Sequence, residues 1–360
     1  MGIRQLIDGI MARDADGIVA VEVPVLSPGT PEPQRTLFAP GQVYLEVRLQ
    51  QMWLTRAREL WREFLPFGTV VTEFIHKGRP VSVPTVLSSA ELSRRFQITG
   101  AHDAVEISDV RVAGPVPYEG DEISLLVALF RAKSADWVAR SLRVVEDVAN
   151  AVGFVGLASA VPVADSLIRA IDSFMDSSDI ELRVGAYRSW KASDDDGAMA
   201  PLHYCVMRRP RAKTSTAELA KLRVVDGRLC QIAADGVSYE PYTEHDFMLI
   251  SIEAKRRRDD YRQLEFYSLW QQTKEHVIAG DLPSARRSWR RTAGAIHTDD
   301  LTRPQQEVLY NEYQRLFADL VERFAVPKAS TFRNGEDVEQ PWQVEDDPAA
   351  LLDAAETSLS

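Results

Sequence analysis

The sequence predicts an α+β protein with a β-rich, sandwich-like N-terminal unit, central helices with a second sheet region, and a C-terminal helical hairpin. Three observations predict this class. Short stretches that alternate apolar and polar residues recur at regular spacing over 17–132, which is typical of half-buried strands in a sandwich or curled sheet. The pattern becomes helical over 134–177 and returns to strands up to residue 260. From residue 262 to about 324, apolar residues recur with helical spacing.

The N-terminal elements follow from residue period and turn chemistry. Apolar residues at every second position of 43–54 predict a strand with one buried face. The turn Lys77-Gly78-Arg79 separates two apolar runs and predicts a β-hairpin. The spacing of 56–64 predicts a short helix. The predicted strands of this unit are 17–26, 43–54, 67–76, 80–87, 104–112 and 122–130.

The rest of the chain is predicted to change character three more times. Further strands are expected at 180–186, 203–207, 222–232 and 246–254. The end of the chain contains eight acidic and two basic residues and few large apolar ones, which predicts a disordered acidic tail. The predicted organisation is a β-rich unit at 1–133, a helical segment at 134–177, a strand-rich region at 178–260, a helical region at 261–326 and a tail at 327–360.

Composition and charge restrict the class of protein. The formal net charge of −11 disfavours broad nonspecific binding to nucleic acid or to an anionic membrane. Cys205 and Cys230 stand apart in apolar stretches, which predicts buried thiols in a reducing compartment. The N-terminus has no long apolar core of a signal peptide. Arginine outnumbers lysine 34 to 8, a bias typical of GC-rich bacterial genomes. A bacterial, cytoplasmic protein is therefore expected.

A turn between two helical stretches carries a recognisable spacing near the C-terminus. Gly280 is suited to the left-handed end of the first helix, and Asp281 to capping the second. Ala285 permits close helix packing, and Trp289 follows one turn later. Over 263–296 this spacing resembles one tetratricopeptide repeat, although no second copy follows at a matching period and such solenoids generally need three or more.

The resemblance implies contact with a protein partner rather than catalysis. The preceding helix presents Tyr267 and Trp270 on its apolar face, and the second helix presents Trp289 and Arg290. These four are the predicted partner-binding residues of a non-enzymatic adaptor or regulatory component that requires no cofactor. The alternative interpretation is a hairpin that packs on the preceding domain.

An apolar strand that ends in Glu253-Ala-Lys255 supports a second hypothesis. The strand and the helix after it resemble the core of the PD-(D/E)xK nuclease family, which implies a Mg²⁺ ion held by acidic residues and a lysine beside the attacking water. Alternation places Glu253 and Lys255 on one face. Asp246 is the candidate second acid, although it precedes Glu253 by seven residues on the same strand. Asp235 is the alternative acid from a preceding strand.

Two further features suggest partners of other kinds. Basic runs occur at 208–213 and 255–258, and four arginines share one helix at 286–291. They are interpreted as a solvated surface or as partners of nearby acids, with phosphate binding to nucleic acid or docking of the acidic tail as the alternatives. The uncharged stretch 148–164 is near the lower length limit of a membrane span. It is interpreted as a buried helix, with conditional membrane insertion as the alternative.

Overall fold

The structure is a computed structural model, and it describes residues 17–26, 36–55, 58–59, 62–63, 65–88, 105–132, 180–191, 199–209 and 214–324. The chain divides into two compact units, Met1–Arg256 and Arg257–Ser360. The described part of the first unit is mostly strands and is called the strand unit. The described part of the second, residues 257–324, is helical and is called the helical unit. The predicted α+β class is confirmed.

The strands are β1 (Ile18–Glu22), β2 (Val25–Leu26), β3 (Tyr44–Leu54), β4 (Arg58–Glu59), β5 (Arg62–Glu63), β6 (Leu65–His76), β7 (Arg79–Ser88), β8 (Val105–Pro117), β9 (Ile123–Ala132), β10 (Ile180–Trp190), β11 (Leu202–Arg208), β12 (Leu222–Val225), β13 (Arg228–Ile232), β14 (Tyr239–Pro241) and β15 (Phe247–Lys255). The helices are α1 (Thr216–Leu219), α2 (Glu265–Ile278), α3 (Leu282–Ile296) and α4 (Arg303–Phe324).

Two antiparallel sheets form a sandwich in the strand unit. The five-stranded sheet has the order β1-β11-β15-β3-β8, and the four-stranded sheet has the order β10-β9-β6-β7. Alternate residues of their facing strands, such as Val47, Ile250 and Val127, form one apolar core between the sheets. The alternation read from the sequence therefore corresponds to a real inner face.

A third sheet covers part of the other face of the five-stranded sheet. Its order is β14-β13-β12-β2. The second apolar core includes Leu249 and Cys205 from the five-stranded sheet and Leu229 from the third. Leu249 and its neighbour Ile250 thus belong to different cores, because successive residues of a strand point to opposite faces. The expected burial of Cys205 and Cys230 is confirmed.

One glycine allows β3 and β8 to approach closely where their register shifts. Gly114 has φ +85°, and a Cβ built there would lie 2.2 Å from the carbonyl oxygen of Leu45. Both the backbone conformation and the missing side chain are needed, so no other residue fits this position without backbone movement.

Several elements differ from the sequence-based expectations. The predicted 1–133 and 178–260 segments share sheets, because β11 and β15 lie between β1 and β3, and β10 pairs with β9. The predicted helix at 56–64 is wrong: its described residues form the short paired strands β4 and β5. The predicted strand 222–232 is two strands, because Asp226 and Gly227 both have positive φ and form a tight turn. The segment 134–177, with the stretch 148–164, and the tail 327–360 lie outside the described residues.

Candidate functional site

The turn between α2 and α3 has the geometry that the sequence predicts. Gly280 adopts φ +76°, and its N–H donates to the carbonyl of Val277 while Asp281 N–H donates to that of His276. This pair of bonds is the Schellman arrangement at a helix end. Asp281 Oδ1 then accepts a hydrogen bond from Ser284 N–H at 3.0 Å, and Ala285 is fully buried between the helices. The roles predicted for Gly280, Asp281 and Ala285 are confirmed.

The aromatic side chains of the hairpin pack against α4. Trp270 has no exposed surface and lies edge-on to Tyr313 at 5.2 Å and to Trp289 at 6.3 Å between ring centroids. Trp289 stacks on Phe317 at 5.3 Å. The apolar groove expected on an isolated repeat is therefore filled by the chain's own third helix.

The four predicted partner-binding residues differ in their access to solvent. Trp270 is buried in the helical unit, whereas Tyr267 and Trp289 are half-buried. The guanidinium of Arg262 lies 5.8 Å from the ring centroid of Tyr267, which is within the range of a cation–π contact. Arg290 is exposed on the outer side of α3. The structure thus separates an aromatic interior from a charged outer surface.

The outer side of α3 carries Arg286, Arg287, Arg290 and Arg291, and we call this surface the arginine face. All four are exposed, and α3 contains no acidic residue. None of the four arginines forms an ion pair with another described residue. Arg287 donates a hydrogen bond to Ser284 Oγ at 2.9 Å. The nearest acid along the chain, Asp281, has a lowered pKa because of its hydrogen bonds with Ser284 and, more weakly, nearby positive charge.

The other predicted basic runs are largely engaged in contacts within their own units. Arg208 donates to the carbonyl of Leu182 at 3.1 Å, and Arg209 pairs with Glu218 at 2.9 Å. Arg258 pairs with Asp260 at 2.6 Å and donates to the carbonyl of Asp300. Residues 210–213 lie outside the described residues, and 256 and 257 are exposed. Of the three predicted basic surfaces, the arginine face is therefore the one whose basic residues are all described and all exposed.

A cluster of charged side chains surrounds Glu253 and Lys255 in the strand unit. Lys255 Nζ lies 2.5 Å from Glu46 Oε1 and 3.7 Å from Glu253 Oε2. Glu253 also accepts hydrogen bonds from Ser251 Oγ at 2.6 Å and Gln50 Nε2 at 3.1 Å. The predicted shared face of Glu253 and Lys255 is confirmed by these contacts. Lys255 therefore lies between two carboxylates, which balance the positive charge of its ammonium group.

Glu46 is the centre of this cluster, and no local sequence pattern singles it out. Its side chain has no exposed surface, yet it contacts Arg48 Nη1 at 2.8 Å and Arg111 Nε at 3.2 Å as well as Lys255. The alternation of β3 does place Glu46 on the face opposite the main core. Its pairing with Glu253 across β3 and β15 joins residues more than 200 positions apart, which a local pattern does not reveal.

Asp246 lies at the other end of β15 and does not join the cluster. Seven residue steps along an extended strand place it about 23 Å from Glu253. It is almost fully buried, and its carboxylate accepts bonds of 2.7 Å from the N–H and Oγ of Thr55 and from Arg183 Nε. Burial opposes ionisation, but the Thr55 hydrogen bonds and the Arg183 charge outweigh it, so the pKa of Asp246 is lowered. This geometry is that of a structural link between the two sheets.

Asp246 gives a pH-dependent prediction. Because its pKa is lower in the folded chain than its ordinary value, its ionised form stabilises the strand unit above about pH 4, and this contribution is lost as the pH falls through the folded-state pKa. We expect the Asp246→Asn variant to unfold at lower denaturant concentration than the native chain at neutral pH, with the difference shrinking below about pH 4. Urea unfolding from pH 7 to pH 2.5 measures it. Two curves that stay equally separated over this range would contradict the prediction.

No family model, no curated protein and no solved structure matches the chain. Among the described residues, no helix is both long and apolar enough to cross a membrane. In the same part of the chain, no group of three or more His, Cys, Asp or Glu side chains is arranged to hold a metal ion. The described residues define an α+β protein with a layered strand unit and, over 257–324, a unit built from the helices α2, α3 and α4.

Proposed function

We propose that the protein is a non-enzymatic adaptor or regulatory component of a bacterial intracellular system, and that it binds an acidic surface of a protein partner through the helical unit. The observation that carries the proposal is the arginine face of α3. Four guanidinium groups are exposed there with no carboxylate paired to them in the described chain. The planar guanidinium group of arginine donates two parallel hydrogen bonds to a carboxylate, so such a surface binds an acidic partner and also orients it.

Helix stability does not account for this arrangement. The pairs 286/290 and 287/291 each place like charges one turn apart, which destabilises a helix by about 0.2–0.5 kcal/mol per pair. The arginine face therefore lowers the stability of the free helical unit. An anionic partner would remove this repulsion on binding.

The charge distribution of the helical unit supports the same proposal. Residues 257–324 contain eleven basic and eleven acidic residues, so the unit is neutral in total but strongly polarised on α3. A local positive field steers an acidic partner and raises its association rate. The attraction weakens as salt increases, because the Debye length falls from ~10 Å at 0.1 M to ~3 Å at 1 M.

The proposal is tested by recovering the tagged full chain from its native host. We expect one near-stoichiometric protein that is at least tenfold depleted with the variant Arg287→Gln, Arg290→Gln, Arg291→Gln and that dissociates as salt is raised. Quantitative mass spectrometry measures the depletion. The matched control removes three exposed arginines from α4 with Arg303→Gln, Arg315→Gln and Arg323→Gln, and is expected to retain the partner.

Two outcomes would contradict the adaptor proposal. Equal recovery of the partner by the α3 and α4 variants would show that binding does not depend on the arginine face. Recovery of nuclease-sensitive nucleic acid with no protein would favour the second candidate, a Mg²⁺-dependent PD-(D/E)xK-like nuclease.

The observation that favours this nuclease candidate is the second carboxylate, Glu46, beside Glu253 and Lys255. Cleavage lost in Glu253→Ala would then support it.

The third hypothesis, a conditional membrane-inserting effector, depends on residues 148–164. These residues lie outside the described part of the chain. No contact, distance or burial of the described residues supports this hypothesis over the adaptor proposal.

A further inference from the structure

We propose that the chain's own acidic segment, residues 327–360, occupies the arginine face and competes there with the partner. The proposal uses the same surface as the proposed function, but it concerns the isolated chain and holds whether or not an external partner exists. In this state the same molecule supplies the anionic ligand of α3, and binding of an external partner is thereby regulated.

Charge complementarity identifies this occupant. The segment contains eight acidic and two basic residues, and the four arginines lie together on one side of α3. Without those four, residues 257–324 contain seven basic and eleven acidic residues. An acidic segment is therefore repelled by the remainder of the helical unit and attracted to the arginine face. Binding there also relieves the repulsion between neighbouring arginines.

The length of the chain after α4 brings the segment within reach. Six residues, 297–302, connect α3 to α4, so the two packed helices run antiparallel. The last residue of α4, Phe324, then lies towards the start of α3, where Arg286 and Arg287 are found. The first acid, Glu336, is twelve residues further, and a flexible chain of that length spans roughly 20 Å. Such a short tether gives an effective concentration on the order of millimolar.

The inference is tested by energy transfer within the purified full chain. Gly294→Cys and Ala350→Cys introduce one dye on the outer side of α3 and one in the segment. Gly294 is exposed, and a Cβ there meets no atom within 4 Å. The native cysteines do not compete for the dyes, because both are buried and burial raises the pKa of each thiol.

We expect efficient transfer at low salt that falls at least twofold in 0.5 M NaCl. Reversing the charge of the helix with Arg287→Glu, Arg290→Glu and Arg291→Glu should abolish energy transfer even at low salt. Reversing the charge of the acidic segment with Glu345→Arg, Asp346→Arg and Asp347→Arg should also abolish energy transfer. Combining both reversals should restore transfer, which a merely unfolded helix would not allow. Reversal of the exposed α4 arginines, Arg303, Arg315 and Arg323, is the matched control and should leave transfer unchanged.

Transfer that is insensitive to salt and to both reversals would overturn the proposal. Transfer between separately labelled donor and acceptor chains would also overturn it, because the occupant would then be the segment of a second copy. Neither result depends on the host partner. If no partner is recovered but energy transfer occurs as expected, only the proposed function is contradicted. If a partner is recovered but energy transfer does not respond to salt or charge reversal, only this inference is contradicted.

Discussion

Replacing Trp270 with alanine is expected to lower the free energy of unfolding of the helical unit by about 3–5 kcal/mol. The indole has no exposed surface and contacts rings from both other helices, Trp289 on α3 and Tyr313 on α4. Its removal leaves a large cavity at the place where the three helices meet. A side chain in this position stabilises the packing of the three helices.

Tyr267→Ala is the appropriate control, because Tyr267 lies on the same helix but is only half-buried. Urea unfolding followed by circular dichroism at 222 nm includes the signal of helices α2, α3 and α4 and is measured for both variants. We expect Trp270→Ala to shift the midpoint at least twice as far as Tyr267→Ala. Equal shifts would mean that Trp270 is not central to the packing.

Because Trp270 is buried, its replacement does not test partner binding. The sequence favoured Tyr267, Trp270, Trp289 and Arg290 together, because all four lie on helices of a repeat-like hairpin. Loss of a partner after Trp270→Ala would follow from unfolding alone. Arg290 and its exposed neighbours are the residues whose replacement changes surface charge while the aromatic interior stays intact.

The elements that were predictable from the sequence are those set by local patterns. Gly280 and Asp281 determine the helix end and the next helix start by bonds that reach only a few residues along the chain. The alternation in β3 is equally local and identified its buried face. The short helix predicted at 56–64 failed because its apolar spacing fits more than one structure when the stretch is this short.

The associations between distant segments were not predictable. β10 pairs with β9 in one sheet, and β11 lies between β1 and β15 in the other, so the predicted first and third segments are one unit. The alternation of residues within a strand does not reveal which distant strand pairs with it. The same limit applied to α4, whose Tyr313 and Phe317 fill the groove of the hairpin. Without that helix, Trp270 and Trp289 look like surface residues.

Glu46→Ala is expected to cost the strand unit about 3 kcal/mol of its free energy of unfolding. The carboxylate has no exposed surface and is the common partner of Arg48, Arg111 and Lys255. Removing it leaves three cations close together without their shared anion. The value lies at the lower end for broken buried ion pairs, because the side chains of these cations remain 18–35% exposed.

The matched control is Glu253→Ala, which removes a carboxylate from the same cluster where it is 28% exposed. Its expected cost is at most about 1 kcal/mol, because solvent screens exposed ion pairs. Urea unfolding of both variants at neutral pH measures the difference. Equal costs would show that the cluster does not depend on its buried member. If Glu46→Ala is strongly destabilised and Glu253→Ala is not, Glu46 mainly holds the cluster together, and Glu253 is the residue at which nuclease chemistry can be tested without unfolding the sheet.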